Sequence, residues 1–296
     1  MTNDNKLQGK VAVLTGASRG IGKEVADALV SKGCKVVIGD ILDKDGESVI
    51  ASYNAEGNRA VYLHTDVTKY SDNVALFKLA EKEFGGVDIV VLNAGIIGGA
   101  NNLFGDFDDE RDSKMMDINV TSVIKGTKVA TLALAKRGGG VIVNTASIAG
   151  LFANIPHVAP YTASKHAVVG YTRSLDLLKV VCGVRCNAVC PYWVETKLLH
   201  NLHRDTQDID PIEKLVANSP RTKMETVVEA FMLAIEDETR VGQTLVALPD
   251  GIQVHERPQS YPSCKVPDEF IQTFIQESIV DYKNQLAVAL ERYESM

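Results

Sequence analysis

The chain has 296 residues, 45% of them hydrophobic and 23% charged, with a formal net charge of −7. That content can fill one large buried core, and the acidic balance argues against general nucleic-acid binding. No apolar run approaches the roughly 20 residues that cross a bilayer, residues 1–6 carry no signal-peptide core, and the cysteines lack metal-ligand spacing, so a cytoplasmic protein with reduced thiols and no metal is expected.

The first element is the apolar run Val11-Ala12-Val13-Leu14, followed by Thr15-Gly16-Ala17-Ser18-Arg19-Gly20-Ile21-Gly22 and an amphipathic stretch from Lys23 to Lys32. Strand, glycine turn and helix in that order make a dinucleotide site: glycines let backbone approach a pyrophosphate, and the helix amino end offers free N–H donors. The spacing is G-x-x-x-G-x-G rather than G-x-G-x-x-G, and in isolation it also describes an ordinary tight turn. The next run, Lys35-Val36-Val37-Ile38-Gly39, closes on Asp40. A carboxylate there accepts from both ribose hydroxyls of an adenosine and repels a 2′-phosphate, which favours NAD over NADP; Arg19 in the glycine turn pulls the other way. The plainer reading of Asp40 is a helix N-cap or a loop acid.

Further apolar runs begin near residues 60, 88, 141, 184 and 244 and alternate with helical stretches, among them about Asp112 to Lys136 and Tyr161 to Val181. The pattern predicts an α/β fold: a doubly wound, seven-stranded parallel sheet with helices on both faces. The run Val141 to Thr145 leads to Ser147, whose hydroxyl at a strand end suits it to hold a substrate oxygen, although serine after a strand is common in loops. In Tyr161-Thr162-Ala163-Ser164-Lys165 a phenol and an ammonium stand four apart on one helical face. The cation is expected to favour the phenolate and make Tyr161 a usable acid or base; alone, such a pair also fits a solvated face. His200 and His203 would need a third ligand to hold a metal and read as a solvated pair.

Together these residues resemble the short-chain dehydrogenase/reductase family, in its NAD-preferring form of about 250 residues with a Rossmann fold, over about Gly9 to Gly251. There is a fainter likeness to 15-hydroxyprostaglandin dehydrogenase-like and fungal secondary-metabolite dehydrogenases. The resemblance implies that Asp66-Val67 contacts the adenine and that Asn93-Ala94-Gly95 flanks the cofactor. It also implies that Asn119 anchors a water through its main-chain carbonyl and completes a catalytic tetrad with Ser147, Tyr161 and Lys165. In Cys190-Pro191-Tyr192-Trp193-Val194-Glu195-Thr196, Pro191, Val194 and Thr196 match the family's cofactor loop, whereas Tyr192 replaces its usual glycine and puts the local path of the loop in question. The cofactor set is thus Gly16, Ser18, Arg19, Gly20, Ile21, Gly22, Asp40, Asp66, Val67, Asn93, Ala94, Gly95, Tyr161, Lys165, Pro191, Val194 and Thr196.

The implied organisation is one catalytic domain over residues 1–254, with a lid at about 192–224, then an extension over 255–296 built as a loop and an amphipathic helix. Trp193, Leu198, Leu199, Leu202, Ile209, Ile212 and Leu215 in the lid either close over a nonpolar ligand or pack the loop on the body. Phe152, Ile155, His157 and Val158, with Ile97 and Phe104 opposite, are further pocket candidates. In the extension, Ile271, Phe274, Ile275, Tyr282, Leu286, Leu290 and Tyr293 form a stripe expected to pack on the body or on a neighbouring subunit rather than on a membrane. The expected activity is NAD-dependent hydride transfer between a secondary alcohol or ketone of a bulky lipophilic molecule and the nicotinamide. A non-redox cyclase or isomerase and a cofactor-binding scaffold are the alternatives. A homodimer or homotetramer is expected by analogy, with no nucleic-acid partner and no membrane span.

Overall fold

The computed structural model describes residues 6–97, 107–153, 155–200 and 211–296. The chain alternates β1 (Val11–Thr15), α1 (Gly20–Ser31), β2 (Lys35–Asp40), α2 (Asp43–Tyr53), β3 (Ala60–His64), α3 (Tyr70–Phe84) and β4 (Ile89–Leu92). It continues through α4 (Asp109–Met116), a π-helical turn at Asp117–Thr121, α5 (Ser122–Lys136), β5 (Gly140–Thr145), α6 (Ala159–Arg173), α7 (Leu178–Cys182) and β6 (Val184–Pro191). The last third holds α8 (Lys197–His200), α9 (Pro211–Asn218), α10 (Met224–Glu236), β7 (Thr244–Leu248), β8 (Gly251–Val254) and α11 (Asp268–Glu294).

The strands form one sheet in the order β3-β2-β1-β4-β5-β6-β7-β8. All seven expected strands are present and parallel; β8 is an addition, pairing antiparallel with β7 through Leu248↔Gly251. Pro249-Asp250 make the turn, and Gly251 takes φ 132°, open mainly to glycine. Only four residues long and on a sheet edge, β8 is too short for its alternation to stand out from a loop.

The central strands read as unbroken apolar runs because both faces are covered. Alternation sends Ala12 and Leu14 to one face, against Val25 and Leu29 of α1 and Phe231 of α10. Val11 and Val13 go to the other, against Leu76 and Phe77 of α3, Leu134 of α5 and Val168 of α6. These layers leave open the carboxyl ends of the strands. There β1 has β2 on one side and β4 on the other, so the chain winds away in both directions and a crevice opens.

The expected helix from 161 to 181 is two helices, α6 and α7, because residues 174–178 close i→i+3 turns. Along α11, Ile275, Leu286 and Leu290 are half-buried and Tyr293 is buried, but Phe274 and Tyr282 are exposed, as is Ile271. The stripe therefore docks through its carboxyl half. Lys78 Nζ lies 4.0 Å and Lys136 Nζ 5.5 Å from the Tyr293 ring centre, so the last turn of α11 is pinned between α3 and α5. No helix among the described residues is long and apolar enough to cross a membrane.

Candidate active site

A cavity of about 620 Å3 opens at this crevice. Its floor begins at the turn after β1. Gly16 has φ +63°, and a Cβ there would come 2.6 Å from Ala94 Cα; at Gly22 a Cβ would meet the Gly16 carbonyl oxygen at 2.5 Å. The two glycines thus let β1, α1 and the loop after β4 close on one another. Asn93 ties the same parts together, donating from Nδ2 to the Gly16 carbonyl at 2.7 Å and accepting from Thr145 Oγ1 at 3.3 Å.

Three features of this turn fit a dinucleotide. Helix α1 starts with no side-chain cap from Arg19 and no acid in its first turn, which leaves its first N–H groups to the cavity that Gly20 and Ile21 line. Ser18 Oγ is buried without a hydrogen-bond partner among the described residues, the kind of donor an anion satisfies. Finally, Asp40 lines the far end of the cavity with both carboxylate oxygens oriented, Oδ2 accepting from Ser18 N–H at 3.0 Å and Oδ1 from Leu42 N–H at 3.2 Å. Asp66 and Val67 share that wall. Hydrogen bonds from Thr68 and the Lys69 ammonium hold the Asp66 carboxyl below the usual carboxylate range.

At the other end stand Ser147, Tyr161 and Lys165. Ser147 leaves β5 in extended conformation, and its Oγ accepts from Ala149 N–H at 3.2 Å. Tyr161 lines the cavity beside Ser147, whose side chain draws the phenol's pKa downward. Lys165, one helical turn on, is 5% exposed; its Nζ donates to the Thr145 carbonyl at 2.9 Å and lies 5.6 Å from the Tyr161 ring centre.

Charge balance here differs from the simple expectation that the ammonium makes the phenol acidic. Burial pushes Tyr161 up to about 12, against a downward pull from the Ser147 side chain. Burial likewise pushes Lys165 down to about 8. Both groups have lost water, which disfavours the charged form of each, and the Lys165 ammonium spends a hydrogen bond on a backbone carbonyl instead of the phenol. Cys190, fully buried next to this pair, is pushed up to about 12 and stays a neutral thiol.

Most of the expected residues meet in this one cavity: Gly16, Arg19, Gly20, Ile21, Asp40, Asp66, Val67, Asn93, Ala94, Gly95, Ser147, Tyr161, Lys165, Pro191, Val194 and Thr196 all line it. Ser18, Gly22 and Asn119 stand behind the wall. Asn119 lies in the π-helical turn, and its amide accepts from Ile96 N–H at 2.8 Å and donates to the Ile96 carbonyl at 2.9 Å and to Ser164 Oγ at 3.1 Å. It thereby fixes the loop after β4 to α6. Tyr192 is accommodated without strain, since no non-glycine residue among those described has positive φ; its ring packs edge-on to Trp193 and lines the cavity.

Beyond Ser147 and Tyr161 the walls are apolar. Ile97, Phe152, Ile155, Val158, Trp193, Leu198, Leu199 and Leu215 line them, whereas His157 does not and is exposed. Ile212 and Val216 of α9 pack on Ile97 and Val158, so this helix is seated over the cavity by a small core of its own. Phe104, Leu202, His203 and Ile209 lie outside the described residues. The sequence reading missed Ile96, Ile118 and Ile148 in the wall, because each sits in a stretch whose apolar residues also suit the core. Among the described residues no group of three or more His, Cys, Asp or Glu is arranged to hold a metal.

The family model for short chain dehydrogenases matches residues 10–207. An uncharacterized oxidoreductase of Thermotoga maritima is 34% identical over 78% of this chain and 92% of its own length. A 3-oxoacyl-(acyl-carrier-protein) reductase of Vibrio cholerae is 35% identical over 81% of this chain and 96% of its own. A mitochondrial borneol dehydrogenase of Lavandula x intermedia is 34% identical over 83% and 91%. A crystal structure of a short-chain type dehydrogenase/reductase from Mycobacterium marinum superposes with a TM-score of 0.73 at 29% identity, covering 82% of this chain and 95% of that one.

Proposed function

The chain belongs to the short-chain dehydrogenase family, oxidoreductases that use a nicotinamide dinucleotide, and from that premise we propose that it is an NAD-dependent dehydrogenase or reductase of a bulky lipophilic secondary alcohol or ketone. The observation that carries this reading is that the Ser147 and Tyr161 hydroxyls, with Lys165 beside them, line one cavity at the junction of a polar, glycine-floored half and an apolar one. A substrate oxygen seated between those hydroxyls would have its carbon facing the polar half.

The nicotinamide, when bound, supplies a hydride acceptor for oxidation and a hydride donor for reduction. In oxidation Tyr161, as phenolate, takes the alcohol proton while Ser147 holds the oxygen. In reduction the neutral phenol gives that proton back. Lys165 supports the phenolate electrostatically and holds the nicotinamide ribose, and Asn119 retains, through its main-chain carbonyl, a water that resupplies the proton path. The uncapped start of α1, with Ser18 and the glycines, holds the pyrophosphate; Val194 and Thr196 hold the carboxamide. Asp40 selects NAD by accepting from the ribose hydroxyls and repelling a 2′-phosphate. Arg19, exposed at the cavity edge, is the opposing charge.

The apolar walls and Leu215 of α9 support a nonpolar substrate, with residues 192–224 as the lid. Residues 1–254 are the catalytic domain and 255–296 an extension. Helices α5 and α6 supply the interface of a homodimer or homotetramer in the cytoplasm. The test is to incubate the full chain with NAD or NADP and a panel of alicyclic and terpenoid alcohols and follow reduced-nicotinamide absorbance. NAD-linked oxidation of panel members supports the reading. Product formation without any change in nicotinamide would overturn it.

A further inference from the structure

Asp40, the cofactor-selecting carboxylate, is held from behind by a side chain that never reaches the cavity. Its main-chain carbonyl accepts from Thr65 N–H at 2.9 Å and from the Tyr62 hydroxyl at 2.7 Å. With the Ser18 and Leu42 N–H groups on its carboxylate, the residue is restrained at both ends. Among the described residues Tyr62 is the one side chain that bonds Asp40, and it does not line the cavity.

The same phenol oxygen is 2.8 Å from Asp43 Oδ1, and His64 Nδ1 is 2.8 Å from that oxygen. Tyr62 has one proton for two acceptors, so the Asp40 carbonyl and the Asp43 carboxylate compete for it. Burial and the Asp43 carboxylate push the phenol above its ordinary range, which keeps it a donor at every working pH. Asp43, paired first with His64 and then with Tyr62, is held below the usual carboxylate range and stays an acceptor. The ring is seated as firmly as the hydroxyl, since a Cβ on Gly46 of α2 would collide with it. Tyr62 therefore clamps the first turn of α2 to the ends of β2 and β3, where Asp40, Ile41 and Leu42 form the adenosine wall.

We propose that Tyr62 is a positioning residue for dinucleotide selectivity, setting the reach of Asp40 through the Asp40 carbonyl, with Asp43 as the competing acceptor that tunes it. This rests on the reading of the cavity as a dinucleotide site. A carboxylate free to drift loses its bonds to the ribose of NADH and also its repulsion of the NADPH phosphate, so the effect falls on the ratio of the two affinities.

The experiment is calorimetric titration of NADH and NADPH into full-length wild type, Tyr62→Phe and Asp43→Ala. Tyr62→Phe keeps the ring on Gly46 and should narrow the NADPH-to-NADH ratio of Kd by about fivefold, the size of one net hydrogen bond. Asp43→Ala gives the proton wholly to the Asp40 carbonyl and should hold or widen that ratio. The ratio is internal to each variant, so a loss of folded protein leaves it unmoved. An unchanged ratio in Tyr62→Phe, or equal narrowing in both variants, overturns the proposal while leaving the dinucleotide site intact. Failure of wild type to bind either dinucleotide overturns the proposed function itself.

Discussion

Lys165 and Tyr161 stand one helical turn apart on α6, yet the ammonium donates to the Thr145 carbonyl at 2.9 Å and lies 5.6 Å from the phenol ring centre, with no direct bond to the phenol oxygen. What moves the phenol is burial, which raises its pKa, against the Ser147 side chain, which lowers it. A phenol in this setting holds its proton at neutral pH.

The pH profiles of the two directions should therefore differ. With the phenol at about 12, the phenolate fraction rises roughly tenfold per pH unit below that value. Oxidation, which needs the phenolate, should gain kcat/KM steadily from pH 7 to 10, whereas ketone reduction, which needs the phenol, should not rise. Initial rates in both directions at constant ionic strength check this. A rising reduction limb would count against Tyr161 as the donor.

Tyr161→Phe removes the transferable proton and leaves the ring. The expected loss of kcat is on the order of 10²–10⁴, the range of a general acid or base, with Kd for NADH within about twofold of wild type. Stopped-flow turnover and fluorescence titration separate the two.

Asp40→Ala should relax the preference for NAD, raising kcat/KM with NADP relative to NAD. It also strips a charged acceptor from the N–H groups of Ser18 and Leu42, which costs about 1–3 kcal/mol of stability if no water replaces it. Steady-state kinetics with both dinucleotides and denaturant unfolding measure the two effects.

Lys165 makes stability depend on pH with a definite sign. Its folded pKa is about 8 against an ordinary 10.5, so between those values the unfolded chain binds more protons than the folded one. Stability should rise with pH through that window, until the raised phenol of Tyr161 reverses the trend above about 10. In Lys165→Met the rise should vanish, and at pH 7 the variant should unfold at a higher temperature than wild type while being inactive. Thermal melts from pH 7 to 10 decide it.

Tyr293→Ala should release α11. The ring is the buried anchor of that helix, held by Lys78 and Lys136, and truncation of a buried aromatic costs about 3–5 kcal/mol where it is fully packed. Hydrogen exchange over residues 275–294 should accelerate markedly, with kcat unchanged. Protection retained there would show that Leu286 and Leu290 suffice.

Much of the site was legible before any coordinates. Val11 to Gly22 announces a strand, a glycine turn and a helix start, and those are contiguous residues whose local geometry is set by sterics. Asp40 and Ser147 end apolar runs, which places them at one edge of a parallel sheet. Less legible was which apolar residues face the cavity: Ile96, Ile118 and Ile148 differ from core isoleucines only in what stands across from them. Residue type likewise separates exposed Phe274 from half-buried Ile275 only once α11 is laid on α5 and α7.

The sequence by itself determined the alternation of seven parallel strands with helices, the glycine turn after β1 and the four-residue spacing of Tyr161 and Lys165, because period, glycine and spacing act over a few residues. The tertiary structure decided the electrostatics and the attachments: whether burial or a neighbouring charge governs Tyr161, which carbonyl Lys165 satisfies, and that Tyr62 stands behind Asp40. Those depend on groups brought together from tens of residues apart and on the water they lose, and no local pattern encodes either.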